Sequence, residues 1–144
     1  MAIFNEAYIL EATSKGVKFI SSDTKVEDKD NLLSDKKIVS AINGAWSKVK
    51  TERDAFINSL IDEWYKSKDG SYDYGANTPA KVMKFATLDY FEVKKRSDKA
   101  VVYIWYNNYR GHKDAEKFFA GHSLFITYDI SLDDYKVSNI DCSL

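Results

Sequence analysis

Cysteine, proline and histidine are nearly missing from this 144-residue chain, which holds one cysteine, one proline and two histidines. With Cys142 alone, no internal disulfide can form, and the residue reads as a small apolar side chain of the last strand. One cysteine also fits a reducing compartment. One proline and six unclustered glycines exclude a collagen-like or low-complexity chain. Neither G-x-x-x-x-G-K nor G-x-G-x-x-G occurs, so a glycine-rich phosphate cradle is excluded too. The chain has almost no net charge, with 21 basic against 22 acidic residues. Nucleic-acid binders draw affinity from counterion release and carry a basic footprint, so no nucleic-acid partner is expected. The longest apolar run, Ala100 to Tyr106, is seven residues. Spanning a bilayer takes about 20, so no membrane association is expected. The start MAIFNEAYILEATSKG has no basic n-region, and Asn5 and Glu6 interrupt its apolar residues. The expected location is the cytoplasm.

What is present is the balance of a globular protein: 44% apolar, 30% charged and 15% aromatic residues, with ten tyrosines. The length suits one domain, residues 1–144, which buries roughly 68–70% of the surface of its unfolded chain. Aromatics at this level suit a half-buried sheet, where the ring packs and a polar tip stays wet.

Residues Ile3–Ala12 and Gly16–Ser21 read as two short strands joined at Gly16, and the polar stretch Ser22–Ser34 as a surface loop. Ile38, Ile42, Ala45, Val49, Phe56, Leu60 and Trp64 then recur at three and four, with Trp46, Ile57 and Ile61 widening the stripe. This predicts a helix from about Ser34, its N-cap, to about Lys68. Asn43-Gly44 and Thr51–Asp54 offer breaks, but one long helix, bent or straight, is the preferred reading. Thr78 and Pro79 start a short second helix running to about Phe85. The period then switches to two, and Leu88–Lys95, Ala100–Asn107, His122–Ile130 and Tyr135–Asp141 read as strands. Lys94, Lys95, Arg96 and Lys99 gather around a turn and read as solvated charge. The expected fold is α+β: an antiparallel sheet of about six strands, ending in a four-stranded meander, packed against one long helix. Leu124, Ile126, Tyr128 and Ile130 should face the core, and Ser123, Phe125, Thr127 and Asp129 the other side.

No catalytic constellation emerges. His122 and Ser123 are neighbours on a strand and point to opposite faces, so they do not form a nucleophile–base pair. His112, Asp114, Glu116, His122 and Cys142 lack the tight paired spacing of a zinc site. Asp133-Asp134, Asp28 and Asp30 fall in turns and loops, where aspartate bonds its own backbone. No catalytic residue, metal or cofactor is assigned. Tyr103, Trp105, Tyr106 and Tyr109 crowd one strand and its exit, with Tyr103 and Trp105 on one face and Tyr106 on the other. The ordinary arrangement covers both faces; an open one would make an interface anchor or a ligand wall.

The strand Val101–Tyr106, followed by Phe119-Ala120-Gly121-His122-Ser123-Leu124, an acidic turn and a short last strand, resembles a group of uncharacterised bacterial domains of unknown function. Trp64, the Thr78–Phe85 helix and Leu88–Lys95 fit the same order, and the likeness covers roughly residues 36–144. Ala120 departs from the aromatic that often precedes the Gly-His pair, and the loop before it is longer. The resemblance implies an α+β fold without established enzymatic activity, of an immunity-protein-like kind, with Gly121, His122 and Ser123 as its marked positions. A structural role for them outweighs a catalytic His122: glycine permits a bulge at the strand start, and the imidazole bonds nearby backbone.

The expected function is therefore protein binding without catalysis, through Trp105, Tyr106, Tyr109, His112, Gly121, His122 and Ser123. The alternatives are a small-ligand or enzyme pocket lined by aromatics near His122, and assembly through an open sheet edge at Ile3–Ala12. The choice between monomer and homodimer stays open.

Overall fold

The structure, a computed structural model, describes residues 16–20, 24–65, 78–83, 86–108 and 123–144. Its chain order is β1 (Lys25–Glu27), a 3-10 turn (Leu32–Ser34), α1 (Lys36–Tyr65), α2 (Pro79–Met83), β2 (Ala86–Arg96), β3 (Lys99–Asn108), β4 (Leu124–Ser131) and β5 (Val137–Ser143). The strands form one sheet in the order β1-β2-β3-β4-β5. The four later strands are the expected antiparallel meander, and β1 joins β2 in parallel.

Three expectations need correction. The described sheet has five strands, not about six. Residues 16–20 form turns instead of a strand, and Ile3–Ala12 lies outside the described residues. The stretch read as a loop, Ser22–Ser34, holds both β1 and the 3-10 turn. Three residues are too few to show a period, so no pattern could announce β1. Val26, 1% exposed, plugs it into the core, and the Asp28 carboxylate accepts from the amides of Leu32 and Leu33 at 2.8 and 2.9 Å to form the next turn.

Helix α1 is continuous. Its start is capped by Asp35, whose Oδ1 accepts from the Lys37 amide at 2.9 Å, one residue later than the expected Ser34. Asn43-Gly44 does not break it, because the Asn43 side chain is used elsewhere. Its Nδ2 donates to the Gly16 carbonyl at 2.7 Å and its Oδ1 accepts from the Lys18 amide at 3.1 Å. Gly16 turns there with φ +95°, a conformation that suits glycine. Phe19 then stacks on Trp46, ring centroids 4.0 Å apart. The segment 16–20 is thus pinned onto the helix.

The core lies between α1 and one face of the sheet. Ile38, Ile42, Val49, Ile57 and Ile61 of the helix meet Phe91, Val93, Val102, Ile104, Leu124, Ile126, Tyr128 and Ile130 of the strands. All four core positions expected on β4 are buried, and the strand alternates without a break. Each such aliphatic side chain contributes about 1.5–3 kcal/mol by leaving water. The Trp64 side chain and residues 66–68 lie outside the described residues.

Candidate functional site

Alternation along β2, β3 and β4 sends every second side chain to the face away from α1. Tyr90, Trp105 and Phe125 are direct cross-strand partners there. The Tyr90 and Trp105 rings lie 4.7 Å apart at 34°, and Trp105 meets Phe125 edge-on at 5.1 Å and 86°. The three form one aromatic row across the middle of the sheet. Trp105 is 38% exposed, the exposed large hydrophobic side chain among the described residues. The ordinary expectation that both faces are covered therefore fails at Trp105.

A bulge between Leu88 and Tyr90 creates this alignment. It keeps Leu88 opposite Tyr106 on the covered side and puts Tyr90 opposite Trp105 on the open one. The extra residue, Asp89, accepts from Asn107 Nδ2 at 2.6 Å, and the Ser123 hydroxyl donates to Asn107 Oδ1. This polar chain borders the aromatic row. The Ser123 proton goes to an amide oxygen, which is no general base, so the arrangement positions side chains and does not activate a nucleophile.

The other border is charged. The Tyr90 hydroxyl donates to Glu27 Oε2 at 3.1 Å, and Lys25 Nζ lies 3.4 Å from Glu27 Oε1. Burial pushes the Glu27 carboxyl up, but the Tyr90 bond and the Lys25 ammonium outweigh it and hold the group below its ordinary value. Burial, then Glu92 and Glu27, push the Tyr90 phenol far above the ordinary tyrosine value, so it stays a neutral donor. Arg96 Nε donates to the Tyr103 hydroxyl at 3.2 Å, and Lys94 lies over the Tyr103 ring at 5.5 Å.

Of the residues expected to bind, Trp105 and Ser123 sit on this face. Tyr106 does not: it is 4% exposed, on the covered side, where Arg53 of α1 donates to its hydroxyl at 3.2 Å. Strand alternation alone separates it from Trp105. Tyr109, His112, Gly121 and His122 lie outside the described residues, and with them the expected pocket near His122. The sequence reading missed Tyr90, Glu92, Asp89, Asn107 and Glu27. Tyr90 and Phe125 carried a signal, as aromatic residues on the outward parity of their strands; Glu27 carried none, because β1 was invisible.

Cys142 is half-buried, and burial, Asp141 and Glu52 push its thiol up to about 11, the reverse of a reactive cysteine. Asp134 acts as expected, its Oδ1 accepting from the Lys136 amide two residues on, whereas Asp30 Oδ2 accepts from the Lys95 amide of β2, a tertiary bond instead of a local one. A shallow depression of about 200 Å³ lies among Asp98, Lys99, Asp129 and Asn139, and one of about 310 Å³ among Lys37, Ser40, Ala41 and Tyr135. Among the described residues, no three metal-ligating side chains gather and no helix is long and apolar enough to cross a membrane. Comparison with protein-family models, curated proteins and solved structures finds no match.

Proposed function

We propose that this chain is a protein-interaction domain of the immunity or regulatory type, working in the cytoplasm, that docks its partner on the open face of the sheet. The carrying observation is the aromatic row Tyr90–Trp105–Phe125, with Trp105 38% exposed at its centre. Exposed tryptophan flanked by other rings and rimmed by polar groups is the usual anchor of a binding surface, because a large rigid ring gains contact area at little entropic cost. The rim here is Lys25, Glu27, Lys94 and Arg96 on one side and Asp89, Asn107 and Ser123 on the other. The raised Cys142 thiol and the proton arrangement at Ser123 favour binding over covalent chemistry.

Affinity capture of the tagged protein from extracts of its own organism, beside a Trp105→Ala variant, tests this. The expected result is one stoichiometric protein held by the wild type and lost by a variant whose circular dichroism is unchanged. Equal recovery by both would remove the open face from the interaction.

A further inference from the structure

Beside the aromatic row, two carboxylates stand opposite each other across neighbouring strands. Glu27 of β1 and Glu92 of β2 are direct partners across the strands, on the same face as Trp105. Like charges so placed are destabilising. Glu27 is offset by Lys25 at 3.4 Å and by the Tyr90 hydroxyl at 3.1 Å. Glu92 is only 9% exposed, and among the described residues it forms no ion pair. The cation two residues along, Lys94, sits over the Tyr103 ring instead, 5.5 Å from its centroid. The Tyr90 hydroxyl, which donates to Glu27 at 3.1 Å, also lies within hydrogen-bonding reach of Glu92, so one neutral donor is shared between the two carboxylates. A carboxylate recessed to this degree without a counter-charge is expensive. Such costs are retained where binding needs them.

The neighbouring rings say what the missing counter-charge looks like. Trp105 lies one diagonal step from Glu92, since Tyr90 pairs with Trp105 and Glu92 with Tyr103. Its exposed face, with Tyr90 4.7 Å away, attracts cations through the ring quadrupole. A carboxylate beside a tilted pair of rings suits a planar cation: guanidinium lies flat on a ring and offers a fork of donors to a carboxylate, whereas an ammonium does neither. We propose that this corner receives an arginine side chain of the protein partner, its guanidinium over Trp105 and Tyr90 and paired with Glu92. This deepens the proposed function and rests on it.

The test titrates N-acetyl-arginine amide, and the neutral isostere N-acetyl-citrulline amide, into the full chain while following the Trp105 indole N–H resonance. The resonance is assigned by its loss in Trp105→Phe. Arginine amide is expected to shift it saturably, citrulline amide to bind at least tenfold more weakly, and Glu92→Gln to cost arginine at least tenfold. Glu92→Gln should also melt at the wild-type temperature or above it, because it removes the like-charge pair; a merely supportive Glu92 would give a lower melting temperature. Citrulline binding equal to arginine, or undiminished arginine binding by Glu92→Gln, overturns the proposal. The capture experiment separates the two readings. A partner lost by Trp105→Ala but kept by Glu92→Gln overturns the arginine and leaves the surface standing. A partner kept by both overturns the surface and the arginine with it.

Discussion

The two faces of this sheet are made by alternate residues of the same strands, yet they solve their chemistry to different degrees. On the covered face Phe91, Ile104, Leu124 and Ile126 are fully buried against α1. Its polar atoms are mostly matched, as where Arg53 meets the Tyr106 hydroxyl and Asp54. On the open face Trp105 keeps 38% of its surface in water, and Glu27, paired with Lys25, stands opposite Glu92. One side is arranged for stability. The other carries an exposed ring and a recessed Glu92 with no ion pair among the described residues. The difference separates the part that holds the fold from the part proposed to meet a partner.

The largest expected effect comes from cutting into the covered face. Ile104→Ala should cost about 2–5 kcal/mol, by lost burial and the cavity left behind. Trp105→Ala, one residue along the strand, should cost about 1 kcal/mol, the loss of two cross-strand ring pairs. Urea unfolding of both variants checks the ratio, and equal costs would mean that the two faces are not different in kind. Cys142, packed at the margin of the core, comes next. A thiol pushed up to about 11 from an ordinary 9.0 holds about a hundredfold less thiolate at pH 8. Iodoacetamide should therefore modify the native chain about a hundredfold more slowly than the urea-unfolded chain. Matching rates would show that burial does not govern this thiol.

The smallest effects test how well the covered face matches its own polar groups. Tyr106→Phe removes a hydroxyl bonded to Arg53 and should cost about 0.5–1.5 kcal/mol. Tyr128→Phe should be neutral or stabilising by up to about 1 kcal/mol, because among the described residues its buried hydroxyl has no partner. Burial holds the Tyr128 proton more tightly in the folded chain than in the unfolded one. The unfolded chain therefore ionises first, and stability falls as pH rises past about 10. Tyr128→Phe should blunt that fall. Chemical denaturation at pH 7 and pH 10.5 gives both signs, and a destabilised Tyr128→Phe would reveal a partner for the hydroxyl.

Periodicity carried most of the fold. The three-and-four stripe from Ile38 to Ile61 became one helix, and Leu124, Ile126, Tyr128 and Ile130 turned inward as alternation requires. Turn chemistry was equally legible at Asp134, which binds the backbone two residues on. On the open face Trp105 and Ser123 were named from the sequence, Tyr90 and Phe125 showed there only as aromatics of outward parity, and Glu27 left no sign. Tyr106 is as aromatic as Trp105, so hydrophobicity gives no sign of which parity a helix will cover. The bulge at Asp89 leaves no mark in the composition, yet it aligns Tyr90 with Trp105.

The α+β class, the run of the long helix and the meander, and the inward set of β4 were all written in the chain, because each follows from short-range spacing of apolar residues. That β1 exists and runs parallel to β2, that α1 lies over Tyr106 and leaves Trp105 in water, and that Glu27 stands opposite Glu92 came only with the folded arrangement. These are contacts between segments distant along the chain, and their energies belong to pairs of surfaces that no local pattern encodes.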